Sequence, residues 1–236
     1  MLVNCDVSGL EVVVAAELSG DPVLCQEVRD KVNFHEENRK LLGFNERRDA
    51  KFFKFRLLYG TSAYGFTVDP LFIPISSSQN YWQDVIDKYY TKYKGIAEWH
   101  KHLIQFAIEN RYLEIPSGRI FPITPDYSKR KPWPETIIKN YPVQGFGADL
   151  VMLARLQARK LLRESALTAI LISTIHDSIV ADCPENEVEA VGRILNQAVE
   201  DVPKLCKQVF DYDFSLPLTA EVQYGLNKKE MVELRL

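Results

Sequence analysis

Apolar, strand-like segments stand at both ends of this chain, and a long helix-rich stretch separates them. Leu2-Val3-Asn4-Cys5-Asp6 reads as a short, mostly buried strand that ends on a carboxylate. Far downstream, Ala169 to Ile175 and Ile179 to Ala181 are two more apolar runs, joined by His176-Asp177-Ser178. Leu216 to Val222 reads as a last strand. Strands at the two ends with a helical insertion between them predict an α+β fold.

A chain of 236 residues can bury a sizeable core, in one large domain or two modest ones. Its net charge of −3 lacks the overall basic bias of many nucleic-acid binders, so any such argument has to rest on local charge. Cys5, Cys25, Cys183 and Cys206 are scattered without a CxxC pair. They read as reduced thiols of a cytosolic protein, with no zinc site. There is no signal-peptide pattern and no apolar run long enough to span a membrane, so no membrane contact is expected.

Between the outer strands, Leu10 to Leu18 predicts a helix stopped by Gly20-Asp21-Pro22. Leu24 to Leu42 is helical with interruptions and carries His35. An irregular stretch with Gly65, Pro70, Pro74 and Ser76-Ser77-Ser78 precedes two helices between Gln79 and Asn110. Tyr112 to Ile115 and Ile120 to Ile123 predict a hairpin around Pro116-Ser117-Gly118-Arg119. Pro125 to Pro134 is a loop whose Lys129-Arg130-Lys131 reads as a solvated basic run. Gln144 to Arg163 predicts a long helix entered through Asn140-Tyr141-Pro142. Pro184 suits the first residue of another helix, whose Val188, Val191, Leu195, Ala198 and Val202 form an apolar stripe able to cover a sheet face.

Arg47 to Gly60 carries the most pointed pattern. Asn45 is a candidate N-cap and Gly60 a C-terminal stop. Arg47, Lys51, Phe55 and Tyr59 recur every four residues and drift by only ~40° per step, so they share one face. Ala50, Phe53 and Leu57 fall opposite, facing the body of the protein. Two readings fit the first face. It is a solvated basic surface with two core aromatics, or it holds phosphates at one end and stacks on a base at the other.

Two carboxylates stand where strands give out: Asp6 after an apolar strand, Asp177 in a tight turn between two of them. Singly, each reads as a turn former, and His176 as a structural or surface histidine. Together they suit magnesium, which prefers a few carboxylates plus substrate phosphates. Two such ions, about 3.5–4 Å apart, activate an attacking oxygen and stabilise the leaving one.

Read jointly, these pieces resemble the family A DNA polymerases, the bacterial DNA polymerase I type. Asp6-Val7-Ser8-Gly9-Leu10-Glu11 followed by Leu18-Ser19-Gly20-Asp21 is similar to their motif A. Arg47-x3-Lys51-x3-Phe55-x3-Tyr59-Gly60 resembles motif B, and His176-Asp177-Ser178 motif C, in the same order and with the same spacings within each motif. Gly118-Arg119 and Asn140-Tyr141-Pro142-Val143-Gln144-Gly145 resemble further family segments. The variant details look most like phage-encoded members, which would place the chain in the host cytoplasm.

The resemblance implies an antiparallel palm sheet with packed helices and a largely helical fingers insertion. It gives residues 1–20 as palm with motif A, 21–120 as fingers, and 121–236 as palm with motif C and the C-terminal strand. It also implies template-directed DNA synthesis from dNTP on primer-template DNA. Asp6 and Asp177, with the Val7 carbonyl, would hold two Mg2+ ions. Arg47 and Lys51 would grip the triphosphate, Lys51 also protonating the pyrophosphate, with His35 assisting. Phe55 would pack near the sugar, Tyr59 would stack at the template side, and Glu11 would exclude a ribose 2′-hydroxyl. Asn140, Gln144, His176 and Arg119 would contact DNA, the first two in the minor groove, where every base pair offers acceptors.

The chain departs from the family's pattern in places. Asn33-Phe34-His35 stands for the usual Asp-Ile-His, and Ser178 for a frequent Glu, so no third carboxylate follows. Lys54 and Arg56 replace a usual Asn and Gly and are expected to add positive charge to the fingers. Thr136 occupies a position where an arginine often holds primer-template. In the family a thumb, a first palm segment and usually an exonuclease domain precede motif A, whereas here Asp6 is the sixth residue. The expectation is a palm-fingers portion, split or truncated, completed by an N-terminal partner chain carrying a thumb, with or without an exonuclease. Unless other parts of the chain cover it, the first strand is expected to expose an unpaired edge. Two alternatives stand beside this: a single-subunit phage-type RNA polymerase fragment, against which Glu11 and Phe55 argue, and a non-catalytic structural subunit.

Overall fold

The computed structural model describes residues 1–236. In chain order its elements are β1 (Leu2–Val7), α1 (Leu10–Ser19), α2 (Pro22–Arg29), α3 (Phe34–Leu42), α4 (Arg47–Leu58), α5 (Ala63–Val68), α6 (Gln79–Lys92) and α7 (Lys94–Asn110). There follow β2 (Tyr112–Glu114), β3 (Ile120–Pro122), α8 (Glu135–Glu164), β4 (Ile170–Ile175), β5 (Ser178–Asp182), α9 (Val188–Glu200), α10 (Val202–Phe210), β6 (Ala220–Gly225) and β7 (Val232–Glu233). The fold is α+β. It divides into two compact units: Met1–Val14, Pro116–Gly118 and Gln144–Leu236 in one, Ala15–Ile115 and Arg119–Val143 in the other.

The first unit is built on a five-stranded antiparallel sheet of order β4-β5-β1-β6-β7. β1 is interior. Leu2 to Asp6 pair with Asp182 to Ser178 on one side and with Gly225 to Glu221 on the other. The expected unpaired edge is therefore overturned, because strands from the far end of the chain satisfy β1's backbone on both sides. α9 packs across β1 and β6. Its stripe, Val188, Val191, Leu195 and Ala198, is buried, and Val202 continues it at the start of α10.

Other boundaries shift for identifiable reasons. β6 starts at Ala220, not Leu216: Leu216 and Leu218 are buried, but Pro217 between them has no N–H for a ladder. Pro184 precedes a 3-10 turn, Glu185–Glu187, and α9 follows at Val188. β7 is too short for its alternation to be read from sequence.

The second unit holds α2 to α7 and the β2–β3 hairpin. Its core is aromatic: Phe53 of α4 stacks on Phe66 at 4.9 Å and on Trp82 at 6.2 Å, and meets Phe44 at 5.4 Å. Phe66 belongs to α5, which occupies part of the stretch expected to be irregular; Ser62 caps it by accepting from the Gly65 amide at 3.2 Å. α8 starts at Glu135 and contains Pro142, so the helix runs through the proline expected to open it. The buried side chains of Ile138 and Val143 on either side anchor it there.

Candidate active site

In the first unit the ladder sets Asp6 of β1 opposite Ser178 of β5 on one side and opposite Glu221 of β6 on the other. Asp177 lies in the two-residue turn between β4 and β5, and its carbonyl accepts from the Val7 amide at 3.0 Å. His176 takes the first turn position at φ +54°, a left-handed conformation that a two-residue hairpin requires and that glycine or asparagine usually fills. A histidine there carries backbone strain of about 1–3 kcal/mol. The Ser178 hydroxyl donates to the Ile175 carbonyl at 3.0 Å and closes the turn from inside. The residue that departs from the family's Glu thus has a structural task.

The side chains of Asp6 and Asp177 come close enough to share a hydrogen bond. Asp6 is half-buried, and its carboxyl is pushed up to about 6 by burial and by Asp177, Glu221 and Glu11. Every charged group that shifts it is itself a carboxylate. Glu11 stands in the first turn of α1, which Gly9 opens at φ +60°. No three of the chain's His, Cys, Asp or Glu side chains gather into a metal cage of their own, so any cation here would rest on the Asp6–Asp177 pair. Gln144 and His176 belong to the same unit and are exposed. The cysteines are buried free thiols, and burial beside Asp6 drives Cys5 up to about 12.

The second unit carries the other group. α4 has the foreseen two-sided character: Arg47 and Lys51 are exposed, Phe55 is half-buried, and Ala50, Phe53 and Leu57 are buried. Asn45 does not cap it. Glu46 takes the N-cap position without a side-chain bond, and Tyr59 is the C-cap residue rather than part of the helix. Arg47 Nε donates to Asn33 Oδ1 at 3.4 Å, and Asn33 also caps α3 by accepting from the Glu36 amide at 3.2 Å. His35 lies 6.1 Å from Phe55, ring to ring, and its Nδ1 is buried without a partner. Burial, then Lys54, Arg47 and Lys51, push it down to about 4, so it is neutral at pH 7. Asn140 has a buried, unpartnered Oδ1, and Arg119 is exposed in the β2–β3 turn beside Gly118.

Two residues were missed or misread. Lys54 was expected to add charge to the fingers surface, yet it is fully buried, with Nζ unpartnered and 4.5 Å from the Phe34 ring. Burial pushes it down to about 7, against the pull of Glu27. Its spacing from Ala50, Phe53 and Leu57 marks the same buried face, a signal present in the sequence. Glu221 faces Asp6 only through long-range pairing that no local pattern reveals.

Comparison with known proteins bears on the whole chain. The model of DNA polymerase family A matches residues 1–230. DNA polymerase I of Chloroflexus aurantiacus is 28% identical over 244 residues, covering 99% of this chain and 24% of that protein. The thermostable DNA polymerase I of Thermus aquaticus is 29% identical over 237 residues, covering 95% of this chain and 26% of its own length. The chain thus spans about a quarter of these bacterial relatives. The polymerase domain of Pol1 from M. smegmatis, solved with DNA primer-template and dNTP, has the same fold, with a TM-score of 0.79 at 21% identity. It is covered over 39% of its length by 95% of this chain. The chain belongs to DNA polymerase family A.

Proposed function

We propose that this chain is the palm and fingers portion of a DNA-directed DNA polymerase, with the sheet-containing unit as palm and the helical unit as fingers. The observation that carries the reading is the Asp6–Asp177 pair, two carboxylates brought together with only further carboxylates shifting Asp6. Such a pair fits a divalent cation, since magnesium is held by one or two carboxylates plus substrate phosphates. Asp6 and Asp177, with the Val7 carbonyl, would hold two Mg2+ ions, which when bound supply charge neutralisation at the attacking and leaving oxygens.

The remaining roles belong to the chain's own side chains. Arg47 and Lys51, both exposed, would grip the triphosphate, and Lys51 would protonate the departing pyrophosphate. His35, neutral at pH 7, keeps a ring N–H available as a donor. Phe55 packs at the sugar and Tyr59 at the template. Glu11 rejects the 2′-hydroxyl by contact. Asn140, Gln144, Arg119 and His176 orient the primer-template. The parts of the relatives that this chain does not span would be supplied from the remainder of the protein or from an N-terminal partner chain carrying a thumb.

The test is single-nucleotide primer extension in Mg2+ with that remainder supplied. Asp177→Ala is expected to abolish incorporation with the fold intact by circular dichroism. Near wild-type extension by that variant overturns the assignment.

A further inference from the structure

We propose that the cleft between the C-terminal half of α8 and the start of β4 is a second nucleic-acid contact, holding the sugar-phosphate backbone of a strand outside the catalytic centre. The choice of a nucleic acid rests on the polymerase reading; the site itself rests on its geometry. Arg155, Arg159 and Arg163 recur every four residues and line one cleft of about 580 Å3 with Leu162, Ser165 and Ile170. From Leu150 to Arg163 the helix carries four cations and no carboxylate, in a chain whose net charge is −3. Like charges one helical turn apart repel one another.

Nothing in the chain offsets that repulsion. Arg155 Nη1 meets only the Met152 Sδ, at 4.0 Å, and none of the three arginines has a carboxylate partner. Glu187, beside the start of β4, is occupied: its carboxylate accepts from the Thr168 amide at 2.9 and 3.1 Å and from the Thr168 hydroxyl at 3.0 Å. The helix dipole favours cations only in the last turn, which accounts for Arg163 but not for Arg155, eight residues earlier. The cleft's rim is fixed. The Ser165 hydroxyl donates to the Leu162 carbonyl at 2.7 Å, and the Leu167 amide donates to the Ser165 Oγ at 3.2 Å. Guanidinium forks in a row on a rigid wall suit successive phosphates.

The location separates this contact from the catalytic centre. Ile170 stands at the far end of β4 from the His176–Asp177 turn. Six strand residues put it about 20 Å away, beyond the reach of a nucleotide at the Asp6–Asp177 pair.

The experiment measures binding of a fluorescein-labelled, mixed-sequence single-stranded 20-mer to the chain as a function of KCl. Neutralising three phosphate contacts on a single strand changes the slope of log K against log salt by about 2. The variant Arg155→Gln/Arg159→Gln/Arg163→Gln is expected to lose that much slope, Arg159→Gln alone about a third of it, and the triple lysine variant to retain most. Equal slopes for wild type and the triple glutamine variant overturn the proposal. So does a poly-glutamate peptide that competes with the oligonucleotide at equal concentration, which assigns the cleft to an acidic protein partner. Single-nucleotide primer extension by the triple glutamine variant, with the remainder of the protein supplied, is the separating control. It is expected to proceed at the wild-type rate, so failure of the cleft and failure of the catalytic reading show in different measurements.

Discussion

The amide of Val7 donates to the carbonyl oxygen of Asp177 at 3.0 Å, one residue beyond the point where Asp6 faces Ser178 in the β1–β5 ladder. That bond pins the hairpin turn to the central strand and holds the carboxylates of Asp6 and Asp177 together. Their closeness has a thermodynamic cost that a bound cation would remove.

Asp6 is raised to about 6 by burial and neighbouring carboxylates, so the folded chain binds more protons than the unfolded one between the ordinary value near 3.8 and pH 6. Stability contributed by this group is therefore present at low pH and lost as pH rises through that window. Asp6→Asn is expected to stabilise the metal-free chain at pH 7. Discounted for the solvent reaching this half-buried site, the gain is on the order of 1 kcal/mol, or roughly 2–4 °C in Tm. Added Mg2+ should raise the Tm of wild type and leave Asp6→Asn unmoved. A variant that melts below wild type, or that gains equally from Mg2+, removes the basis for a cation at this pair.

Lys54 predicts a second pH dependence. Its burial lowers it from 10.5 to about 7, so between those values the unfolded chain holds a proton that the folded chain lacks. The Lys54 contribution must then rise with pH across the window. Lys54→Met is expected to stabilise the chain at pH 7 by roughly 1–4 kcal/mol, as when buried ionic groups give way to apolar ones of similar volume. It should also flatten the rise in urea midpoint between pH 7 and 9.5 relative to wild type. Parallel pH profiles would mean that Lys54 finds a counter-charge or water in solution.

How far the sequence could carry the reading differs between the two units. The motif strands, the helix from Arg47 and its apolar face were legible because each follows a local period, 2 or 3.6 residues. The turn at His176–Asp177 was legible because apolar runs bracket it. The interior place of β1 was not, since it depends on partners at Ser178–Asp182 and Ala220–Gly225, far along the chain. Glu221 was hidden for the same reason. Lys54 was hidden by its charge: its position on the helix marked a buried face, but a lysine is almost never fully buried without a partner. Pro142 misled in the ordinary way, because a proline inside a helix is rarer than one at its start.

Lys51 and Arg47 are exposed, and in the proposed function they meet the triphosphate. Charge-assisted hydrogen bonds contribute about 1.5–3 kcal/mol each, so Lys51→Ala should slow incorporation roughly tenfold to a little over a hundredfold. Its affinity for primer-template should stay close to wild type, since in this reading Lys51 meets the triphosphate and not the duplex. The readout is single-turnover incorporation against dNTP concentration, with DNA binding measured separately by anisotropy. Equal losses in both would reassign Lys51 to a general electrostatic role.

Glu11 offers the sharpest test of which nucleotide the site accepts. It sits in the first turn of α1, near enough to Asp6 to shift its carboxyl, so its side chain borders the place where the Asp6–Asp177 pair would meet a triphosphate. In the proposed function a bulky carboxylate at that border would cost a ribonucleotide its 2′-hydroxyl space and leave a deoxyribonucleotide untouched. Glu11→Ala removes the obstruction and also one of the carboxylates facing Asp6. Ribonucleotide incorporation is therefore expected to rise by about tenfold or more relative to deoxyribonucleotide, a change of roughly 1.4 kcal/mol in discrimination. Glu11→Gln separates the two effects: it keeps the bulk and drops the charge, so it should preserve discrimination against the 2′-hydroxyl. The measurement is kcat/KM for matched dNTP and rNTP on one primer-template, for wild type and both variants. A wild-type protein that already uses both sugars equally would overturn DNA synthesis as the function and favour an RNA-synthesising palm instead.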